Sequence, residues 1–197
     1  MALQPRRSAL GIFPQFIAQH NEELVLKEKL FSLSGDSFSI TTVDGREIVR
    51  VKGEAFSLSG RKHIMDLQDN TVFDIRKEHF TIHTTYYIQN AQEEKLMEIK
   101  SRFSIAGSKA TITFNNALDG GRPVELTMKG DFFARHADII EEGSGEPIAQ
   151  IRRKGLNARN LIGGQQTYIV AVAAGVDLSL VVAMCVCFDE KNNESES

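Results

Sequence analysis

From residue 23 to residue 174 the chain alternates apolar and polar positions in short runs rich in Val, Ile, Phe, Thr and Tyr. Gly, Asp or Asn breaks these runs roughly every ten residues, the pattern of antiparallel strands joined by tight turns. Successive side chains of a strand point to opposite faces, so each run has one face for a core and one for solvent. The pattern predicts about twelve strands, near 23–32, 37–42, 48–52, 62–67, 71–77, 79–89, 95–104, 109–115, 124–129, 135–141, 147–153 and 167–174. Asp44-Gly45 in "VDGRE" is a favoured two-residue hairpin loop, and "LDGGRP" and "EGSGEP" are glycine-rich hairpins of the same kind.

The pentapeptide "FSLSG" occurs at 31–35 and again at 56–60, with a degraded copy, "FSIAG", at 103–107. Phe and Leu two apart share one strand face and the two serines share the other. Glycine then supplies a turn conformation that other residues avoid. The repeat is therefore expected to be a strand-and-turn unit of the fold, without a binding role.

One segment departs from this texture. "GVDLSLVVAMCVCFDE" offers Asp177 as a helix N-cap, followed by an almost wholly apolar run from 178 to 188. Periodicity alone leaves helix and strand open for this run; Ala, Leu, Met and the Asp cap favour helix. A helix apolar all round has to be buried on every side. The run is shorter than the roughly 20 apolar residues that a bilayer requires, so no transmembrane span is expected. Many strands with one all-apolar helix predict a mainly β protein, a closed antiparallel barrel wrapped around a buried C-terminal helix.

Composition then bounds the rest. A chain of 197 residues with 42% hydrophobic content can enclose one sizeable core. Residues 1–19, with two of the four prolines and little periodicity, are expected to form an arm or edge segment. Residues 20–190 form the barrel domain, and the polar residues 191–197 a disordered tail. A net charge of −3 argues against a nucleic-acid partner. Cys185 and Cys187 are the only cysteines and lie within the apolar run, so they read as buried thiols, not as a disulfide framework. The N-terminal residues lack the apolar core of a secretory signal, and an intracellular, cytoplasmic protein is expected.

No catalytic constellation is legible, and the chain is read as non-enzymatic. There is no GxSxG elbow and no GxxxxGK loop. His79 and His83 would share a strand face but stand about 13 Å apart, too far to ligate one metal together. No cofactor, catalytic residue or metal site is expected.

The segments "LKEKLFSLSGDSFSI", "GREIVRVKGEAFSLSGRKHIMD", "GEPIAQIRRK" and "TYIVAVAAGVDLSLVVAMCVCFDE" resemble the LURP-one-related branch of the tubby C-terminal-like superfamily. The resemblance runs from about residue 23 to residue 190. It implies a twelve-stranded barrel around a hydrophobic helix, related to that of the phospholipid scramblases.

Tubby-type domains hold phosphoinositide headgroups with clustered Lys and Arg on the barrel wall, after a strand end like "LAGRK". Here "SLSGRK" puts Arg61 and Lys62 at that place, with Lys52 nearby; His63 and Ile64 follow where the tubby run stays basic. A denser cluster is Arg152, Arg153 and Lys154, although adjacent strand residues face opposite sides. These six residues are the candidate ligands for anionic phospholipid headgroups at a membrane surface. The alternative is a protein-interaction or scaffold domain that meets a partner through exposed barrel edges and its ends. Whether the basic residues converge on one face separates the two.

Overall fold

The computed structural model describes residues 3–27, 37–53, 61–79, 81, 84–104, 107–131, 136–153 and 167–195. Twelve strands form one closed antiparallel barrel: β1 (Glu22–Lys27), β2 (Ser37–Thr42), β3 (Glu47–Gly53), β4 (Lys62–Met65), β5 (Thr71–Glu78), β6 (Thr85–Gln89), β7 (Lys95–Ser104), β8 (Gly107–Asn116), β9 (Arg122–Asp131), β10 (His136–Glu141), β11 (Pro147–Arg153) and β12 (Thr167–Val172). Each strand pairs with its neighbours in sequence, and β12 closes onto β1 from Glu22 opposite Val172 to Lys27 opposite Thr167. Closure leaves no free sheet edge among these twelve strands.

Alternation decides which face turns inward. Val51, Ile64 and Phe73 lie opposite one another on β3, β4 and β5, and all are buried. The same holds for Ile99 and Ile112 on β7 and β8 and for Ile151 and Val170 on β11 and β12. Down the axis runs α1 (Leu178–Ser195), buried at every position from Leu178 to Phe188. A helix apolar on all sides has no solvent face, and the barrel wall supplies the apolar neighbours it needs. Cys185 and Cys187 are buried in this stretch.

Two expectations are corrected. The helix does not stop near Phe188 but continues to Ser195, through the polar residues expected as a tail; Glu and Lys are good helix formers and extend a helix already nucleated. β6 begins at Thr85, not near 79, so His79 lies in the connection after β5 and His83 lies outside the described residues. Both copies of "FSLSG" also lie outside them. In the third copy Phe103 and Ser104 end β7 while Gly107 opens β8, opposite Ser104.

The N-terminal residues lie across one end of the barrel, where the chain enters the helix. Leu3, Leu10 and Ala18 are buried, and Phe13 stacks on Phe73 with ring centroids 5.2 Å apart. Residues 174–177 run between two parts of this segment. On one side the Leu10 amide donates to Gly175 and the Asp177 amide to Leu10; on the other the Ala18 amide donates to Val176 and the Gly175 amide to Ala18, all at 2.7–2.9 Å. Low periodicity hid this role, because the segment closes the barrel through backbone bonds and a few isolated apolar anchors.

Candidate functional site

The up-and-down topology fixes which connections share an end. The connections 43–46, 66–70, 90–94, 117–121 and 142–146 lie with the N-terminal segment and the start of α1 at one end. They carry Asp44, Asp66, Asp69, Glu93, Glu94, Asp119, Glu142 and Glu146 against Arg46, and the strand termini and N-terminal segment at this end add Glu22, Glu23, Glu47 and Glu141 against Arg6, Arg7, Lys95 and Arg122. The strand termini that point to the other end carry Lys27, Lys52, Lys62, Arg76, Lys77, Arg102, Lys109, Lys129, Arg152 and Arg153, against Glu78, Asp131 and Asp138. The small net charge of −3 thus conceals a separation of charge along the barrel axis, acidic at the closed end and basic at the other.

At the basic end the candidate residues divide. Lys52 is exposed on the outer face of β3, opposite His63 of β4, and makes no ion pair among the described residues. His63 in turn faces Asp74 of β5, with Nδ1 2.7 Å from Oδ1. The Arg61 guanidinium reaches the other carboxylate oxygen, Nε to Oδ2 at 3.2 Å. Lys52, Arg61, His63 and Asp74 therefore form one outer cluster. Lys62 does not join it: strand alternation puts it on the inner face with Ile64, opposite Ile75, and it is buried. The run "RK" looked like a patch in one dimension, but neighbours in a strand cannot share a face.

Arg152 lies four strands away around the wall, roughly 19 Å at ordinary strand spacing. Its guanidinium packs on His136, with Nη1 3.2–3.3 Å from the ring nitrogens, and donates to Gln150 at 2.9 Å. Arg153 pairs in register with Tyr168 of β12, and Lys154 is outside the described residues.

A third group escaped the sequence reading. Arg102, Lys109 and Lys129 stand directly opposite one another on β7, β8 and β9. Lys109 and Lys129 are both exposed, and like charges placed opposite each other across strands repel. Lys129 offsets part of this with Glu142 at 3.5 Å. β7 and β8 follow one another in the chain, and the pairing of Ser104 with Gly107 sets Arg102 opposite Lys109. The linear pattern alone does not fix that register.

At the acidic end, buried polar groups tie the N-terminal segment to the barrel. Asn116 accepts from the Gly11 amide at 3.0 Å and donates to the Ala9 carbonyl at 2.9 Å. Glu141 meets Arg6 at 2.7 Å, Arg122 at 3.3 Å and the Ser144 hydroxyl at 2.8 Å. Burial would raise the Glu141 carboxyl, but the hydrogen bonds and charges of Arg6, Ser144 and Arg122 outweigh it and hold it below the usual range. Asp177 is buried without an ion-pair partner among the described residues. One oxygen caps α1 by accepting from the Ser179 amide at 3.0 Å and its hydroxyl at 2.6 Å. The other accepts from the amides of Ile12 and Phe13 at 3.1 and 2.8 Å. Burial is the larger influence here and pushes this carboxyl up, against those four donors.

The described residues contain no group of three His, Cys, Asp or Glu placed to hold a metal, and no helix long and apolar enough to cross a membrane.

Comparison with known proteins fits this architecture. A profile of the LURP-one-related family matches residues 22–189, the whole barrel and the apolar part of its helix. The chain belongs to the LURP-one-related family. Among its relatives, Protein LURP-one-related 10 of Arabidopsis thaliana is 23% identical over 93% of this chain and 96% of its own length. Protein LURP-one-related 15 of the same plant is 22% identical over 98% of this chain and 90% of its own. An X-ray structure of an Arabidopsis thaliana protein superposes with a TM-score of 0.66 at 20% identity, covering 92% of this chain and 97% of that one. At that identity the likeness establishes the shared fold.

Proposed function

We propose that this LURP-one-related barrel is a non-enzymatic module that docks on an anionic membrane surface, with phospholipid headgroups such as phosphoinositides as its ligands. The observation that carries the reading is the separation of charge along the barrel axis. A barrel standing with its basic end toward a negative surface holds its acidic connections a barrel length away. The Debye length is about 8 Å at physiological ionic strength, so the near cations are attracted while the far acids are screened. Each Lys or Arg near such a surface contributes about 1 kcal/mol. The resemblance to tubby-type domains, which hold phosphoinositides with wall-mounted Lys and Arg, points the same way. Lys52, Arg61 and Arg152 are the ligands retained from the sequence, joined by Arg102, Lys109 and Lys129. The location implied is peripheral, on the cytoplasmic face of a membrane.

Sedimentation with neutral vesicles and with vesicles containing phosphatidylserine or a phosphoinositide tests this. Binding is expected to anionic vesicles only and to weaken with salt. The double changes Lys52→Ala with Arg152→Ala, and Lys109→Ala with Lys129→Ala, should each lower affinity about thirtyfold, as expected for two charges of about 1 kcal/mol. Equal binding to neutral vesicles, or none at all, would overturn the proposal and favour a protein-interaction domain.

A further inference from the structure

Lys52, His63 and Asp74 stand side by side on the outer wall, on β3, β4 and β5, each in register with the next. His63 is the member of this row that the docking reading leaves unused. Its ring is fixed from one side. Nδ1 lies 2.7 Å from Asp74 Oδ1, while Arg61 Nε stands 3.2 Å from Oδ2 of the same carboxylate. An ionised carboxylate only accepts, so Nδ1 is the N–H donor and Nε2 is the nitrogen that takes an added proton. The imidazole keeps 22% of its side chain exposed against 12% for Asp74, so the ring is the more open to a ligand of the two.

One proton changes the charge balance of this row. Among the described residues, Lys52 faces His63 from β3, Asp74 faces it from β5, and Arg61 precedes it on its own chain segment. Arg76 lies one outward position further along β5. Arg50, the corresponding position on β3, is committed to Glu47 and Asp69 at the other end of its reach. A charged ring opposite Lys52 would by itself be repelled. The Asp74 carboxylate, against the far side of the ring, offsets that repulsion and lets the row carry the added cation.

We propose that His63 is a further ligand for the headgroups of an anionic membrane, recruited by a proton: neutral, it braces Asp74; protonated, it presents Nε2–H beside Lys52 to a headgroup oxygen. This rests on the docking reading above and adds to it a dependence on pH. Histidine is the side chain that ordinarily changes charge between about pH 5 and 8. The neutral ring adds nothing to the attraction in mild alkali, and the charged ring adds one cation in mild acid, so docking tightens as pH falls. A negative surface also draws protons toward it, so approach and protonation reinforce each other.

The test is sedimentation of the full chain with phosphatidylserine vesicles at about pH 8 and about pH 5.5, at one ionic strength. Phosphatidylserine keeps its charge across that range, whereas the phosphate groups of a phosphoinositide would themselves titrate. His79 and His136 lie at the same end of the barrel and contribute to the wild-type response, so the variants isolate the share of His63. His63→Gln, which can still donate to Asp74, should shrink the gain in affinity from alkali to acid about fivefold, as expected for one charge at the surface. His63→Arg, charged throughout, should bind about fivefold more tightly than wild type at about pH 8. His20→Gln, at the acidic end, should respond as wild type does. An equal response in wild type and His63→Gln, or no gain at the alkaline pH by a folded His63→Arg protein, would overturn the proposal and leave the docking reading standing. Absence of binding by every protein at both pH values would overturn the docking reading, and this proposal with it.

Discussion

The carboxylate of Asp177 accepts the backbone amide of Phe13 at 2.8 Å, across 164 positions of chain. The same side chain caps the central helix. One residue therefore couples the start of α1 to the segment that closes the barrel over it.

Asp177→Asn should be destabilising despite its near-identical shape. An amide group turned toward Ile12 and Phe13 presents donors to donors, leaving buried N–H groups unsatisfied at about 1–3 kcal/mol each. A loss of about 2–4 kcal/mol in urea unfolding is expected. An unchanged midpoint would show that the clasp contributes nothing.

Gly11 marks the tightest contact in that clasp. A Cβ there would lie 2.3 Å from Asp177 Cβ, so Gly11→Ala must displace the segment or the helix cap. Gly45 has φ +89 and open space around it, so Gly45→Ala meets only backbone strain, about 1 kcal/mol. Thermal unfolding of the two variants should rank Gly11→Ala as clearly the worse; the reverse order would mean that the N-terminal segment is not seated as described.

Glu141 and Asp177 should give opposite pH dependences. The Glu141 carboxyl is held low in the folded state, so its contribution is full above the unfolded value of about 4.3 and is lost as pH falls through the folded one. The stability gap between wild type and Glu141→Gln should reach about 3 kcal/mol near neutrality and shrink in acid. The Asp177 carboxyl is pushed up, so its contribution is full below its unfolded value of about 3.9 and declines as pH rises through the folded one. The gap to Asp177→Asn should therefore widen in acid. Urea midpoints measured from pH 3 to about pH 7 would reveal both trends, and parallel curves would contradict the assignment.

The central helix makes two further outcomes testable together. Leu180→Asp or Val181→Asp would bury an unpaired charge at a site with 2% or 0% exposure. A cost of several kcal/mol against a typical total of about 5–15 kcal/mol should abolish soluble folding. Cys185 and Cys187, at 0% and 1% exposure, should resist a thiol reagent in the native protein and react once it is denatured. Rapid native labelling of both would place the helix elsewhere.

The strands, the reversals between them and the helix cap were legible in sequence because each is a local matter. Period-two alternation, Asp-Gly turns and an Asp before an apolar run act over a few residues. The predicted spans 37–42, 95–104 and 147–153 coincide with β2, β7 and β11. The helix could be placed inside a barrel from composition alone, since eleven consecutive positions with a single serine, 178–188, leave no face for water.

What the tertiary structure decided was which residues meet. Arg61 and Lys62 are adjacent in the chain yet separate to the outside and inside of the wall, while Arg102, Lys109 and Lys129 meet only through the register of three strands. The N-terminal closure depends on side chains more than 100 positions from their partners. Charge at each barrel end is summed over strands that alternate in direction, so a near-neutral chain becomes a strongly polarised barrel. Pairwise distance, not chain order, sets electrostatic and packing energies, and closure of the barrel is what fixes those distances.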